Sequence, residues 1–192
     1  MLLSSHLPNR LPPPILHSNG SVFSEGAARA ILVHLSEDIG VREQGMTTNE
    51  IDTPNFLVET IRSMQALAQN NGWRLDVEVE TASGTLDYYF VHTQFTNVYN
   101  NLTNVVVSLS PEAVSPDHPA FLLGAHYDSA FRSPGASDDG VPVVVILETI
   151  RCLVSQKANR YRNRLIAVLN GAEESYLVGS HAFVKHHPWA TH

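Results

Sequence analysis

The sequence contains a single cysteine, Cys152, in 192 residues, which excludes small folds held together by internal disulfides. Positive charge is also scarce, because 12 Lys and Arg against 19 Asp and Glu give a formal net charge of -7, and no segment concentrates the basic residues. Nucleic acid is therefore not expected as a partner. The sequence lacks an apolar run of the roughly 18 residues that a membrane span needs, and its first residues lack the basic and apolar regions of a signal peptide.

The hydrophobic content of 43% is high enough for one domain with a packed core. The first 22 residues are rich in Pro, Ser and Asn, and they include three consecutive prolines at 12–14. This composition is typical of an extended linker. We therefore expect a disordered or extended lead-in over residues 1–22 and one folded domain over residues 23–192.

Two helices are predicted before the first strand. Ser24 can cap the first helix, which is expected to end before Gly40. Thr53 is predicted to cap the second helix, with Pro54 in its first helical position. Apolar residues at helical spacing then continue this second helix up to Gly72.

The remaining pattern predicts an α/β fold. Alternating apolar and charged residues in WRLDVEVETASG indicate a strand near an edge of a sheet, and further strands are expected around 88–92 and 104–109. From Ala120 the order is strand, helix, strand, helix. The first of these helices is expected to turn five apolar residues inward: Val141, Val144, Leu147, Ile150 and Val154. The expected architecture is a three-layer sandwich with a mixed, mostly parallel sheet.

Chemistry-bearing side chains follow the two apolar strands of this unit. They are His126 and Asp128 after the first strand, Asp138 and Asp139 at the start of the next helix, and Glu173 and Glu174 after the second strand. Each group alone is more often an ordinary polar loop, a helix cap or a solvated turn. Because neighbouring parallel strands end at the same edge of a sheet, we expect the three groups to face one spot.

Carboxylates crowded at one spot repel one another unless a cation is bound. Imidazole together with carboxylates suits zinc, and the absence of clustered cysteines favours a catalytic site over a closed structural one. Two ions sharing one aspartate would fit the pattern. Of the adjacent Glu173 and Glu174, one could then bind metal while the other acts as a general base.

Three stretches of the sequence resemble the M28 family of zinc aminopeptidases: GAHYDS at 124–129, PGASDDG at 134–140 and NGAEES at 170–175. NLTNVVV at 101–107 and HPWA at 187–190 are similar to the endoplasmic reticulum metallopeptidase branch of that family. The resemblance implies a zinc-exopeptidase fold. It also implies hydrolysis of a peptide or protein with a free amino terminus through a metal-bound water.

The resemblance assigns roles to five residues. It makes His126 a ligand of one zinc, Asp138 the bridge between both zincs, and Glu174 a ligand of the other. Glu173 matches the general base of the family, and Asp128 matches the residue that supports the histidine ligand.

The family supplies two further ligands downstream, an acidic residue and a histidine, whereas this sequence reaches only His192. We therefore expect a catalytic domain that is incomplete at its C-terminus. His186, His187 and His192 are weak candidates for replacement ligands, because the first two end a helix that leads away from the site. Asp139 receives no role.

Several alternatives stay open at this point. The domain could be a catalytically inert M28-like binding or dimerisation module, or a single-zinc acyltransferase resembling glutaminyl cyclase. Whether the 192-residue chain is itself active is left open, as are its oligomeric state and its preference among substrate side chains. The resemblance implies the endoplasmic reticulum lumen, with membrane anchoring only through segments outside this sequence. Glycosylation sequons at Asn19 and Asn101 are compatible with that location.

Overall fold

The computed structural model describes residues 15–16 and 20–190. Most of the predicted lead-in therefore lies outside the described residues, as do Asn19 and His192, and the predicted domain boundaries stay a prediction. The helices are α1 (Glu25–Val33), α2 (Thr53–Arg62), α3 (Gln65–Asn70), α4 (Val141–Val154) and α5 (Val178–His186). The strands are β1 (Trp73–Phe90), β2 (Thr93–Pro111), β3 (Ala120–His126) and β4 (Arg164–Asn170). Short π-helical turns span His34–Ile39, Thr48–Asp52 and Ala136–Gly140, and a 3-10 turn spans Ala158–Arg160.

The start and end of the first helical segment agree with the sequence. The Ser24 hydroxyl accepts a hydrogen bond from the Ala27 amide at 3.2 Å, which caps α1. The segment continues through the π-helical turn to Ile39 and stops at Gly40, whose φ of 78° suits glycine.

The second predicted helix differs in two ways. Thr53 is not an N-cap, because the chain is already helical from Thr48 and the Thr53 hydroxyl donates to the Thr48 carbonyl at 2.7 Å. Pro54 does occupy the first turn of α2. The segment is two helices rather than one, since the Met64 amide bonds the Ile61 carbonyl three residues back and tightens the chain between α2 and α3.

The described strands form one mixed sheet in the order β1-β2-β4-β3. This confirms the α/β class, but fewer of the strand pairs are parallel than expected. β2 is antiparallel to both of its neighbours, and only β3 and β4 pair in parallel. For β1 and β2 the reason is a hairpin: the strand expected around 88–92 is the end of β1 together with its turn into β2, and a short turn forces antiparallel pairing.

Helices cover both faces of the sheet, as predicted. On one face Val105, Val107 and Leu169 pack in the main core with α1 to α4. On the other face Val106 and Val168 pack with Phe183 of α5. The alternation along β2 and β4 thus builds three layers.

The buried stripe of α4 is displaced from the predicted one at its first residue. Val141 is 43% exposed, whereas Val143 is fully buried. The stripe runs through Val143, Leu147 and Ile150 at intervals of four and three residues, so Val141 falls beside it. The other four residues predicted to face inward are buried: Val144, Leu147, Ile150 and Val154.

Candidate metal centre

The carboxyl ends of β3 and β4 bring the predicted site residues together. The last pair of the parallel register is His126 with Asn170, so the loops that follow both strands leave the sheet side by side. The buried His126 ring places Nε2 at 3.1 Å from Asp138 Oδ1 and at 3.6 Å from Glu173 Oε2. Three stretches that are separate in sequence therefore meet around one imidazole nitrogen.

Asp128 connects the imidazole to the second loop. Its side chain is 1% exposed, and Oδ1 lies 3.2 Å from Nδ1 of His126. The same carboxylate accepts hydrogen bonds from the backbone amides of Glu173 and Glu174, each at 3.0 Å. With Nδ1 also 3.1 Å from the Asp128 carbonyl, the ring is oriented with Nε2 toward Asp138.

Asp139, which received no role from the sequence, lies in the same cluster. Its Oδ2 accepts a hydrogen bond from the His126 amide at 3.2 Å. Candidate ligand atoms of His126, Asp138 and Asp139 all lie within 4.8 Å of one another. The peptide bond between the two aspartates is cis. Asp138 was singled out from the pair by the resemblance alone, and nothing in the local sequence marks Asp139 as a neighbour of the histidine.

Glu174 occupies a more exposed position than its neighbour. Among the residues that the structure describes, His126, Asp138 and Asp139 form a group whose candidate ligand atoms lie within 4.8 Å of one another. Glu174 does not belong to this group. Glu174 lines an open pocket next to Glu173. Its role as a zinc ligand, like the roles of the other four assigned residues, stays a prediction.

The site is strongly electronegative. Burial lowers the pKa of His126, but the hydrogen bond and charge of Asp128, with Glu173 and Asp139, outweigh burial and raise the pKa to about 9. Burial raises the pKa of Asp139, and burial together with the charge of Asp138 raises the pKa of Glu174. Carboxylates with raised pKa values around a cationic imidazole indicate a place where a metal ion would relieve repulsion.

The donor set fits zinc. One imidazole nitrogen faces carboxylate oxygens at short distance, and its second nitrogen is held by a carboxylate, which is the usual support for a metal-binding histidine. His126, Asp138 and Asp139 are the residues whose ligand atoms lie close enough together to hold an ion, and Glu173 lies beside them at 3.6 Å from the imidazole.

Sequence reasoning missed Arg42, which fastens the loop after β3. The residue is fully buried. Burial lowers the pKa of its guanidinium, and the negative charge of Asp128 acts in the opposite direction by raising that pKa. Its guanidinium donates to five backbone carbonyls: Tyr127 at 2.7 Å, Leu35 and Gly40 at 2.6 Å, Pro134 at 2.9 Å and Gly135 at 3.3 Å. The backbone of Arg42 also pairs with Ser129. An arginine in a stretch without a motif gives no local signal of this role.

Two asparagines that the sequence analysis did not single out hold the loop after β4. The Asn49 side chain donates to the Gly171 carbonyl at 2.8 Å, and the Asn104 side chain accepts from the Gly171 amide at 3.3 Å. A Cβ atom on Gly171 would lie 2.3 Å from the Thr103 carbonyl oxygen and from the Tyr127 hydroxyl. Only glycine therefore fits at the start of the segment that carries Glu173.

The C-terminal histidines lie apart from this cluster where they are described. His187 is buried, and its Nε2 is 2.6 Å from Glu78 of β1. Its ring stacks on Phe183 with centroids 4.7 Å apart, on the face of the sheet covered by α5. These contacts show that the HPWA stretch at 187–190 packs against this face of the sheet.

Comparison with known proteins finds similarity to one peptidase family. Residues 104–192 match peptidase family M28. Over 169 residues, which are 88% of this chain, the sequence is 40% identical to human endoplasmic reticulum metallopeptidase 1 and 38% identical to the mouse protein. The chain spans 18% of the length of these relatives. The resemblance to the M28 family and to its endoplasmic reticulum metallopeptidase branch is confirmed.

Solved structures show the same fold at lower sequence identity. The Legionella pneumophila LapA aminopeptidase has a TM-score of 0.65 and 24% identity, covering 85% of this chain and 39% of its own. BSAP, a zinc aminopeptidase from Bacillus subtilis, has a TM-score of 0.61 and 17% identity, covering 86% of this chain and 66% of its own. Porphyromonas gingivalis glutaminyl cyclase has a TM-score of 0.58 and 24% identity, covering 86% of this chain and 54% of its own. These likenesses confirm the zinc-exopeptidase fold.

Within residues 15–16 and 20–190, no helix has both the length and the apolar character needed to cross a bilayer.

Proposed function

We propose that this chain, which carries a peptidase family M28 domain over residues 104–192, is part of a zinc-dependent aminopeptidase. The substrate is a peptide or protein, and the reaction is hydrolysis of the bond that follows its free amino terminus. The observation that carries the proposal is the convergence of His126, Asp138 and Glu173 from three segments onto one imidazole nitrogen.

His126 and Asp138 are the residues that hold the metal, with Glu174 as ligand of a second ion. The Asp138 side chain is 79% exposed, so its carboxylate has a free side away from His126 on which a second ion can bind. When bound, zinc polarises the scissile carbonyl and makes water more acidic.

Glu173 is the general base of the proposed reaction. Its side chain is 35% exposed, so it borders both the buried imidazole and the solvent from which water and substrate arrive. In this position its carboxylate takes the proton of the attacking water and afterwards gives it to the leaving amine. Asp128 fixes the backbone amide of Glu173 and so sets where that carboxylate stands.

The names of the similar proteins support the proposed class of activity. BSAP is a zinc aminopeptidase, LapA is an aminopeptidase, and the human and mouse relatives are endoplasmic reticulum metallopeptidases. By the same relationship we place the chain in the endoplasmic reticulum.

Zinc content and peptide hydrolysis test the proposal together. The purified chain is analysed for zinc by mass spectrometry and assayed with L-leucine p-nitroanilide, beside Glu173→Gln and the exposed control Glu112→Gln. Bound zinc with turnover that falls by roughly 10²- to 10⁴-fold only in Glu173→Gln is the expected result. Loss of zinc in that variant would reverse the roles of Glu173 and Glu174.

Two outcomes favour the alternatives. Absence of zinc, with no turnover in either form, supports an inert binding module. Cyclisation of a peptide with N-terminal glutamine, without hydrolysis of the anilide, supports the acyltransferase.

A further inference from the structure

A second cavity lies at the opposite end of β4 from the metal cluster. β4 begins at Arg164 and ends at Asn170, the residue paired with His126, so the two ends of the strand are roughly 20 Å apart. The cavity surrounds the Arg164 end and has a volume of about 620 Å³. That volume is within the usual range of small-molecule sites, about 300–1,000 Å³. The described residues that line it all lie outside the metal cluster.

The walls of this cavity are mostly apolar. Ile166 of β4 and Phe183 of α5 form its buried part, in the small core on that face of the sheet. Leu122 of β3 and Trp189 also line it, although they are 61% and 40% exposed. Apolar side chains left open to solvent around a concave surface favour an aromatic or aliphatic ligand group, since its binding removes apolar area from water.

Arg164 brings a positive charge into this apolar cavity. The residue is only 8% exposed, its guanidinium donates to the Pro116 carbonyl, and it lies over the Trp189 ring at 5.6 Å from the ring centroid. Among the described residues, no ion pair joins this guanidinium to a carboxylate, not even to Asp117, an exposed residue of the cavity lining. A buried charge without a counter-charge is rare, because burial removes it from water.

Most hydrogen-bond donors of Arg164 are unused. The buried guanidinium of Arg42 donates to five backbone carbonyls, whereas that of Arg164 donates to one. A guanidinium has five N–H donors. No nitrogen of Arg164 is among the enclosed polar atoms that lack a partner in the described part of the chain. The unused donors are therefore accessible, and the cavity is the space that Arg164 lines.

We propose that this cavity binds a small carboxylate that carries an aromatic or branched aliphatic body. The carboxylate accepts two hydrogen bonds from Arg164, in the bidentate geometry that suits a guanidinium. The apolar body lies against Ile166, Phe183 and Leu122. A singly charged anion fits because no other Lys or Arg is among the described lining residues. The site is separate from the metal centre and does not depend on the proposed peptidase activity.

Calorimetric titration of the chelator-treated chain tests the site. Chelation matters because a carboxylate could otherwise bind zinc at the metal centre. The probes are phenylpropionate, its uncharged amide, and acetate, which keeps the charge but lacks the ring. Phenylpropionate is expected to bind at least about 10-fold more tightly than either, because the amide loses the charge-assisted hydrogen bonds and acetate loses the apolar contacts.

Variants separate the two parts of the site. Arg164→Gln should weaken phenylpropionate binding at least about 10-fold and leave binding of the amide unchanged. Arg162→Gln, at an exposed arginine two residues earlier, should change neither. Leu122→Ser should weaken phenylpropionate binding at least about 3-fold by removing part of the apolar wall. Its control is Val145→Ser, at a 41% exposed valine of α4 outside the cavity lining.

The same chemical group occurs in a free acid and at the carboxyl end of a peptide. Titration with Gly-Gly-Phe beside phenylpropionate distinguishes these two sources. Tighter binding of the peptide would assign the cavity to a peptide end, and weaker binding would assign it to a free acid.

Several results would overturn the proposal. They are no binding of phenylpropionate, equal affinity for phenylpropionate and its amide, and equal losses in Arg164→Gln and Arg162→Gln. Circular dichroism shows whether each variant folds. If Arg164→Gln does not fold, equal phenylpropionate affinity in Leu122→Ser and Val145→Ser would overturn the site. Zinc content and turnover play no part in these measurements, so failure of the proposed function and failure of this site are distinguishable.

Discussion

The carboxylate of Asp128 shows how one residue joins two loops that are distant in sequence. Its two oxygens accept the amides of Glu173 and Glu174, and one of them also contacts the His126 ring. The positions of both loops therefore depend on the Asp128 side chain, which is only 1% exposed. An isosteric change at this position therefore affects folding and metal binding together.

Asp128→Asn is predicted to lower both stability and zinc affinity. An amide keeps one accepting oxygen, so one of the two loop amides loses its acceptor, at a cost of about 1–3 kcal/mol. Loss of support for a ligand histidine typically lowers metal affinity by about 10- to 100-fold. Urea unfolding and zinc titration against a competing chelator measure the two effects. The exposed Asp117→Asn is the control, and unchanged affinity in Asp128→Asn would contradict the supporting role.

The His126 imidazole gives the metal-free chain a pH-dependent stability. Its pKa in the folded chain is about 9, above the ordinary value of 6.5. The folded state therefore holds the proton more tightly than the unfolded state. This stabilisation is fully present below pH 6.5 and is lost as the pH rises through about 9.

Thermal unfolding of the chelator-treated chain between pH 6 and pH 10 tests this dependence. We expect the melting temperature of His126→Asn to fall less than that of the unchanged chain between about pH 6.5 and pH 9. Parallel curves for the two proteins would show that the cluster does not hold the proton in this way.

At the scale of helices and strands, local pattern determined what could be predicted. β3, β4 and α4 were located because continuous apolar strands and a helical apolar stripe are strong signals. The break between α2 and α3 was missed because apolar spacing continues across it through Ile61 and Met64. The pairing of β1 with β2 depends on a turn at Val91 and His92, both with positive φ, for which the sequence offers no glycine.

Arg42 joins elements that the sequence leaves unconnected. Its guanidinium binds carbonyls at the end of the first helical segment, in the loop after β3 and in the loop before α4. Lysine has one ammonium group and lacks the planar fork, so it cannot satisfy these carbonyls together.

Arg42→Lys is predicted to destabilise the chain by about 3 kcal/mol or more, because several buried carbonyls lose a charged donor. Denaturant unfolding measures the change. The control is Arg29→Lys, at an exposed arginine that pairs with Glu25 on the same helix. A loss in Arg42→Lys no larger than in the control would mean that the carbonyls are satisfied without the guanidinium.

Across the whole molecule, topology accounts for how much of the site could be predicted. Parallel pairing of β3 with β4 was expected, and it brings His126 beside the loop of Glu173. The contacts of Asp139, Arg42 and Asn49 arise only once the layers pack, so no window of sequence contains them. The meeting of His126, Asp138 and Glu173 was expected from the sequence, whereas the contacts of Arg42 and Asn49 were not.

The central claim is that three segments enclose a zinc ion around His126. X-ray diffraction from crystals of the zinc-loaded chain, collected on both sides of the zinc absorption edge, locates bound zinc directly. The account predicts an anomalous peak within bonding distance of both the His126 Nε2 and the Asp138 carboxylate. Zinc bound only at other residues, or no peak at this edge of the sheet, would contradict it.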